Sequence, residues 1–189
     1  MKQEHRLLAL AAHTRKWSPR INLVSKSSLV EIENRHIKDS TQLASFLPNK
    51  KSRIIDLGCG GGFPGLALAC LGYENLTLVD SDARKISACR AFLREQALSV
   101  NLVNSRIDEL QVMNFEIVTA RALASLDQLL QWAVNLLSTN GRCLFLKGAR
   151  VDEEIDSALK IAEFTFTKHP SLSSPDGCVL EICNVRIRS

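Results

Sequence analysis

The chain has 189 residues, of which 46% are hydrophobic and 23% are charged, and its formal net charge is +4. This composition is typical of one globular domain and excludes a disordered chain, a collagen and a coiled rod. Only 5% of the residues are aromatic, which disfavours a surface built mainly from stacked bases. No apolar run reaches the roughly 18 residues that a membrane helix needs, and the N-terminus lacks the pattern of a signal peptide. We therefore expect a cytoplasmic protein with no membrane partner.

The cysteines and histidines show no metal-binding or disulfide pattern. The six cysteines contain no C-x-x-C pair and no regular spacing, and the four histidines are scattered along the chain. This distribution predicts reduced, mostly buried thiols and no metal site.

The first part of the chain, residues 1–52, is predicted to form helices separated by turns, with Pro19 ending the first helix and Pro48 following the last. Residues 1–53 contain 11 lysines and arginines but only 4 acidic residues. Residues 54–189 contain 13 lysines and arginines and 16 acidic residues. A basic segment of this kind is expected in a protein that binds a phosphate backbone, although a solvated helix face gives the same pattern.

From residue 53 onwards, short apolar runs alternate with helical stretches. The apolar runs predict strands at residues 53–57, 76–80, 100–104, 115–120, 142–147, 164–168 and 178–187. Helical periodicity predicts helices at residues 65–71, 83–97, 126–137 and 152–162. This alternation predicts an α/β fold with a doubly wound, mostly parallel seven-stranded sheet. The last two strands have no helix between them, so we expect an antiparallel pair at the sheet edge.

We therefore expect one domain over residues 1–189, composed of a basic helical extension (1–52) and an α/β core (53–189).

The most informative segment of the chain is the glycine loop at residues 56–65, which follows the first predicted strand. Residues 60–65 match the dinucleotide-binding pattern G-x-G-x-x-G literally, but that match begins four residues after the strand ends in Asp56. A carboxylate there disfavours a pyrophosphate and suits a cationic ligand such as S-adenosylmethionine. Asp80 ends the second strand, where a carboxylate binds ribose hydroxyls of either cofactor.

Seven motifs then occur in a specific order. They are Asn22-Leu23, Arg35-His36-Ile37-x-Asp39-Ser40, Asp56-Leu57-Gly58-x-Gly60-x-Gly62-Phe63-Pro64-Gly65, Val79-Asp80-Ser81, Ser105-Arg106-Ile107-Asp108-Glu109, Thr119-Ala120-Arg121-Ala122 and Leu146-Lys147-Gly148. Together they resemble the RsmG (GidB) family, bacterial enzymes that methylate guanine N7 in 16S ribosomal RNA. The resemblance runs from about Trp17 to the C-terminus, and the N-terminus is shorter than is usual in the family. The resemblance implies the class I, Rossmann-like fold of S-adenosylmethionine-dependent methyltransferases.

The resemblance also implies cofactor contacts at Gly58, Phe63, Ile107 and Asp108, and it places Arg121 in the site. Many family members have Ala-Glu in place of Ile107-Asp108, so we expect mainly backbone contacts there. With the residues singled out above, the predicted cofactor-binding set is Asp56, Gly58, Gly60, Phe63, Asp80, Ile107, Asp108 and Arg121. The implied substrate is 16S ribosomal RNA or a precursor of the small ribosomal subunit, and we expect a monomer.

The end of the fourth predicted strand, Thr119-Ala120-Arg121, lacks the residues with which related folds methylate exocyclic amines, cytosine C5 or ribose hydroxyls. Guanine N7 has an in-plane lone pair and no proton, so its methylation requires positioning and electrostatics but no general base. The candidates for positioning are Arg121, Lys147, His36 and Arg35.

Several alternatives remain open. Arg35 and Asp39 are four residues apart and would face each other on an α-helix, with His36 merely packed beside them. The acidic residues at 153, 154 and 156 are expected on a solvated helix face, and both tryptophans in the core. At the level of function, an NAD-dependent oxidoreductase and a non-catalytic RNA-binding assembly factor are the two competing hypotheses.

Overall fold

A seven-stranded sheet forms the centre of the structure, a computed structural model that describes residues 2–188. The strands are β1 (Ile54–Leu57), β2 (Leu76–Asp80), β3 (Asn101–Asn104), β4 (Phe115–Arg121), β5 (Leu137–Lys147), β6 (Ala162–Pro170) and β7 (Cys178–Ile187). Their order across the sheet is β3-β2-β1-β4-β5-β7-β6. The first five strands are parallel, and β7 is antiparallel to both β5 and β6. The predicted fold class and the antiparallel pair at the edge are therefore confirmed.

The helices of the described residues precede the sheet or connect its strands. They are α1 (Lys2–Ile21), α2 (Lys26–Leu29), α3 (Asp39–Thr41), α4 (Gly65–Cys70), α5 (Ala83–Glu95), α6 (Leu126–Ala133) and α7 (Val151–Ala158). A π-helical turn (Glu33–Lys38) precedes α3, and short 3₁₀ helices follow at Gln42–Phe46 and Ile107–Glu109. None of the helices within residues 2–188 is both long and apolar enough to cross a membrane.

Apolar side chains cover both faces of the sheet. Successive residues of a strand point to opposite faces, so Ile54 joins one apolar cluster and Ile55 joins the other. The first cluster contains Leu10 of α1 and Phe92 of α5, and the second contains side chains of α6 and α7. Because the central parallel strands are buried on both faces, they appear in the sequence as short continuous apolar runs.

The first helix is longer than predicted. Pro19 was expected to end it, but α1 continues through Pro19 to Ile21. A proline removes one backbone donor, and Pro19 is exposed near the end of the helix, where this loss is tolerated. The backbone N–H of Asn22 still donates to the Ser18 carbonyl over 2.9 Å. Asn22 has φ +51°, a left-handed conformation that commonly follows the end of a helix.

The fifth strand begins earlier than predicted. β5 starts at Leu137, whereas a turn at Asn140-Gly141 was expected to precede a strand at residue 142. Its pairing with β4 shifts register between Phe115 and Ile117, which face Leu137 and Arg142 respectively. The predicted turn residues therefore lie in an irregular segment within the strand.

Candidate active site

A cavity of about 1130 Å³ lies at the carboxyl ends of the parallel strands. Ligands of open α/β sheets bind at this edge, because the strand order reverses there and the connecting loops diverge. Ten of the residues predicted from the sequence line this cavity: Arg35, His36, Gly58, Gly60, Phe63, Asp80, Ile107, Asp108, Arg121 and Lys147. The structure thus brings together residues that are up to 112 positions apart in the chain, from Arg35 to Lys147.

Asp56 is the exception, because it lies beneath the glycine loop and does not line the cavity. Its carboxylate is fully buried, and it accepts hydrogen bonds from the Gly65 N–H at 2.9 Å and the Thr119 hydroxyl at 3.0 Å. Burial raises the pKa of Asp56 to about 7, against the opposing effect of these two donors. Asp56 is thus the one predicted cofactor-binding residue that lies outside the cavity lining, and its carboxylate binds the glycine loop and β4.

The glycine loop adopts backbone conformations that other residues rarely reach. Gly58 has φ +60° and Gly60 has φ +53°. A β-carbon at Gly58 would lie 2.3 Å from Cδ1 of Leu123, so a side chain there would require both backbone strain and a displaced neighbour. These glycines keep the loop backbone close to the open cavity.

Asp80 is held in place at the end of β2. Its carboxylate accepts hydrogen bonds from the Gly60 N–H at 2.8 Å and from the Asp82 N–H at 2.9 Å. The Asn104 side-chain amide donates to the Asp80 carbonyl over 2.9 Å and connects β2 to β3. Each carboxylate oxygen has more than one acceptor position, so Asp80 can also accept hydrogen bonds from hydroxyls in the cavity.

Arg121 extends from the end of β4 towards the N-terminal segment. Its guanidinium donates to the Arg35 carbonyl over 2.8 Å and to Nδ1 of His36, and it lies 5.4 Å from the centre of the Phe63 ring. Burial has the largest effect on His36 and, together with the smaller effects of the Arg121 and Arg35 charges, lowers its pKa to about 3. His36 is therefore neutral at physiological pH. With Nδ1 as acceptor, its proton lies on Nε2, which is buried and has no partner in the described structure.

The ion pair between Arg35 and Asp39, one of the alternatives left open by the sequence, does not form. These residues lie in and just after the π-helical turn, whose wider spacing removes the facing geometry of an α-helix. Asp39 instead lies 3.7 Å from the Arg121 guanidinium, measured from Oδ2 to Nη1, and the Arg35 side chain is exposed at the cavity. The cationic partner of Asp39 thus comes from the end of β4 and not from its own helical segment.

Lys147, at the end of β5, forms an ion pair at the wall of the cavity. Its ammonium donates to Glu154 over 2.6 Å and to the Ala124 carbonyl over 3.1 Å, and only 7% of its side chain is exposed. The expectation that Glu154 lies on a solvated face was wrong, because this carboxylate turns inwards from α7 to meet Lys147. Trp132 is likewise not a core residue, since it is partly exposed and lines the cavity.

The cavity fits S-adenosylmethionine better than a dinucleotide. A pyrophosphate needs free N–H groups at the start of the helix after the glycine loop. Here Asp56 already accepts from the Gly65 N–H, and the Gly62 carbonyl accepts from the Leu66 N–H over 2.7 Å. The Asp80 carboxylate suits a ligand that is cationic and carries ribose hydroxyls, whereas the Asp108 carboxylate is paired with Arg106.

Comparison with known proteins identifies the family. The family model described as rRNA small subunit methyltransferase G (GidB) matches residues 3–176. The chain belongs to this family. The "Ribosomal RNA small subunit methyltransferase G" of Paramagnetospirillum magneticum is 41% identical to it over 170 residues, covering 90% of this chain and 83% of the relative. The protein of the same name from Dinoroseobacter shibae is 41% identical over 173 residues, covering 89% of each chain.

Membership of the methyltransferase G family confirms the predicted family, methyltransferase activity and fold. A TehB-like S-adenosylmethionine-dependent methyltransferase from Corynebacterium glutamicum shares the fold, with a TM-score of 0.65 and 18% identity over 92% of this chain and 98% of that one. The family match begins at residue 3, so the predicted start near Trp17 was too late.

Sequence reasoning missed several residues that the structure places at the cavity. They are Ser25, Lys85, Arg150, Ser173, Ser174 and Gly177, together with Asp39, which was considered only as a partner of Arg35. The motif Arg35-His36-x-x-Asp39 was a signal for Asp39, but nothing local in the sequence marked the segment at 173–177. These residues reach the cavity only because β7 lies beside β5.

Proposed function

We propose that this chain transfers a methyl group from S-adenosylmethionine to N7 of a guanine in the 16S ribosomal RNA of the bacterial cytoplasm. The family relationship supports a methyl transfer to small-subunit ribosomal RNA, and the geometry of the cavity supports the cofactor. We further propose that the protein acts as a monomer on the RNA or on a precursor of the small subunit.

One observation favours N7 as the acceptor: each carboxylate lining the cavity within the described residues is already bound by a donor. The donors are the Ser173 hydroxyl for Asp39, the Gly60 N–H for Asp80, the Arg106 guanidinium for Asp108 and the Lys147 ammonium for Glu154. His36, with its pKa near 3, is a weak base. N7 suits such a site because its lone pair attacks the sulfonium-bound methyl group directly and no proton has to be removed.

The proposed roles follow from position in the cavity. Asp80 would accept hydrogen bonds from the ribose hydroxyls, and the backbone at Gly58 and Gly60 would follow the cofactor closely. Phe63 would pack against the cofactor. Ile107 and Asp108 would lie beside the adenine and contact it mainly through their backbone.

The cationic side chains would act on the acceptor RNA. A donor bound to N7 would compete with the reaction, so we expect these groups to bind guanine O6 or phosphates. The exposed Arg35 suits a phosphate, whereas the largely buried Arg121 and Lys147, together with the neutral His36, would position the base or the walls around it.

Methyl transfer from tritiated S-adenosylmethionine to small-subunit RNA tests this proposal. The RNA should come from a strain that lacks the enzyme, and 7-methylguanosine should be mapped after incubation with wild-type protein. We expect one methylated guanine, and we expect Asp80→Ala to abolish both transfer and cofactor binding in calorimetry. Asp156→Ala, which removes an exposed carboxylate from α7, is the matched control and should retain both.

The same experiment separates the competing hypotheses. Binding of NAD instead of S-adenosylmethionine in the same calorimetry would contradict the proposed cofactor. Binding of ribosomal RNA without either cofactor would favour a non-catalytic assembly factor. Methylation of a position other than guanine N7 would contradict the proposed acceptor atom while leaving the family assignment intact.

A further inference from the structure

Asp39 connects the N-terminal segment to two separate parts of the core. Its Oδ1 accepts hydrogen bonds from the Ser173 hydroxyl at 2.7 Å and the Gln42 side-chain amide at 2.8 Å. Its Oδ2 lies 3.7 Å from the guanidinium of Arg121. One carboxylate therefore holds both the end of β4 and the connection between β6 and β7.

That connection, residues 171–177, forms a closed loop (hereafter the β6–β7 loop). The Ser171 N–H donates to the Gly177 carbonyl over 3.0 Å, and the Gly177 N–H donates to the Ser174 carbonyl over 3.2 Å. A second tether comes from Gln42, whose side-chain carbonyl accepts from the Leu172 N–H at 2.9 Å. Because the loop is tied to itself and to the N-terminal segment, its position depends on Asp39 and Gln42.

The β6–β7 loop lines the cavity away from the predicted cofactor contacts at the ends of β2 and β3. Ser173, Ser174 and Gly177 form part of the wall near Lys147, whereas Asp80 and Asp108 follow strands β2 and β3 at the other side of the sheet. Arg35 and Arg150 also line the cavity and have exposed side chains. The Ser174 hydroxyl and the two guanidinium groups are donors that match the phosphate and carbonyl oxygens of an RNA chain, whereas the Ser173 hydroxyl already donates to Asp39.

We propose that the β6–β7 loop is the acceptor-RNA wall of the active site and that Asp39 is the positioning residue that holds it against Arg121. The inference rests on the proposed function and extends it to the binding of the RNA substrate. The loop and Arg121 share one carboxylate, so a displacement of either changes the other. In this role Asp39 acts through Ser173 and Arg121, both of which it contacts.

Steady-state kinetics of the full chain distinguishes this role from a merely structural one. We expect Ser173→Ala to raise the KM for small-subunit RNA about tenfold, because it removes a hydrogen bond to a charged acceptor. The Kd for S-adenosylmethionine, measured by calorimetry, should stay within about twofold of wild type. Ser173→Thr keeps the hydroxyl and should restore the KM, and Ser157→Ala on the exposed surface of α7 is the matched control.

Asp39→Asn provides the second measurement. It keeps an oxygen for Ser173 but removes the charge that faces Arg121, so we expect it to lower kcat as well as to raise the KM. Thermal unfolding of each variant identifies any that fails to fold, and in that case Ser173→Ala decides alone.

The outcomes separate this inference from the proposed function. If wild-type protein transfers no methyl group to the RNA, the proposed function has failed and the inference fails with it. If wild type is active but Ser173→Ala leaves the KM unchanged, or weakens cofactor binding as much as RNA binding, only the inference is overturned.

Discussion

Burial shifts the pKa values of two titratable side chains next to the cavity, Asp56 and His36, so that in each case the neutral form is favoured relative to the unfolded chain. The pKa of Asp56 rises to about 7 and that of His36 falls to about 3. Their effects on stability are therefore opposite. Ionisation of Asp56 destabilises the fold as the pH rises, whereas protonation of His36 destabilises it as the pH falls.

The pH dependence of stability tests the environment of Asp56. Its pKa is about 3.8 in the unfolded chain and about 7 in the fold, so the native state holds the extra proton between these values. The contribution of Asp56 to the free energy of unfolding should fall from about pH 4 to about pH 7 and then level off. Relative to wild type, Asp56→Asn should therefore become more stable across this range.

Urea unfolding at several pH values between 4 and 8 measures this difference. Asp156→Asn is the control for the loss of one exposed negative charge. A difference between Asp56→Asn and wild type that stays constant over the whole range would contradict a raised pKa.

At the scale of elements, the glycine loop depends on both backbone conformation and space. Gly58 and Gly72 have positive φ values of +60° and +88°, but a β-carbon is crowded only at Gly58. Gly72→Ala should cost about 1–2 kcal/mol of stability through backbone strain alone. Gly58→Ala should cost roughly 1–3 kcal/mol more, because the added carbon displaces Leu123, and it should weaken S-adenosylmethionine binding.

Denaturation and calorimetry of the two variants check this prediction. Equal losses of stability would show that the contact with Leu123 is unimportant. Cofactor binding at wild-type strength in Gly58→Ala would show that the loop adapts to a side chain.

The first helix is held to the core by its buried face. Leu10 is fully buried among side chains of the first apolar cluster, whereas Leu8 is 58% exposed on the same helix. Leu10→Ala should therefore destabilise the protein by about 2–5 kcal/mol, through lost burial and the cavity left behind. Leu8→Ala should change the free energy of unfolding by less than about 0.5 kcal/mol. Chemical denaturation measures both, and similar losses would contradict the observed packing of α1.

At the scale of the whole molecule, charge is distributed unevenly. The net charge of +4 combines a strongly basic segment at residues 1–53 with a slightly acidic remainder. The basic segment also borders the cavity, because Ser25 and Ser27, on either side of the exposed Lys26, line it. We therefore expect this segment to meet a phosphate backbone at the mouth of the site.

The salt dependence of RNA binding tests this placement. Lys26→Gln should reduce the slope of log Kd against log salt concentration by roughly 0.7–0.9, the contribution of one phosphate contact. Lys160→Gln removes an exposed charge just after α7 and should leave the slope unchanged. Filter binding of 16S RNA at several salt concentrations measures both slopes, and equal slopes for the two variants would place the RNA elsewhere.

The sequence alone determined the features that depend on short-range patterns. Alternation of apolar runs and helical stretches identified the seven strands, and the end of the second run identified Asp80, whereas Arg121 was placed in the site by the family resemblance. The glycine loop was recognisable because its residues are contiguous. Strand ends of a parallel sheet meet at one edge, so these local signals were sufficient to predict where the cavity lies.

Only the tertiary structure decided which side chains face the cavity and which partners they have. Asp39 and Ser173 are 134 positions apart, and their hydrogen bond exists because β7 is inserted between β5 and β6. Asp56 is the second-to-last residue of β1 and Lys147 is the last residue of β5, yet Asp56 is covered by the glycine loop and Lys147 is neutralised by Glu154. Burial and charge pairing depend on the packing of distant segments, and no local pattern in the chain encodes them.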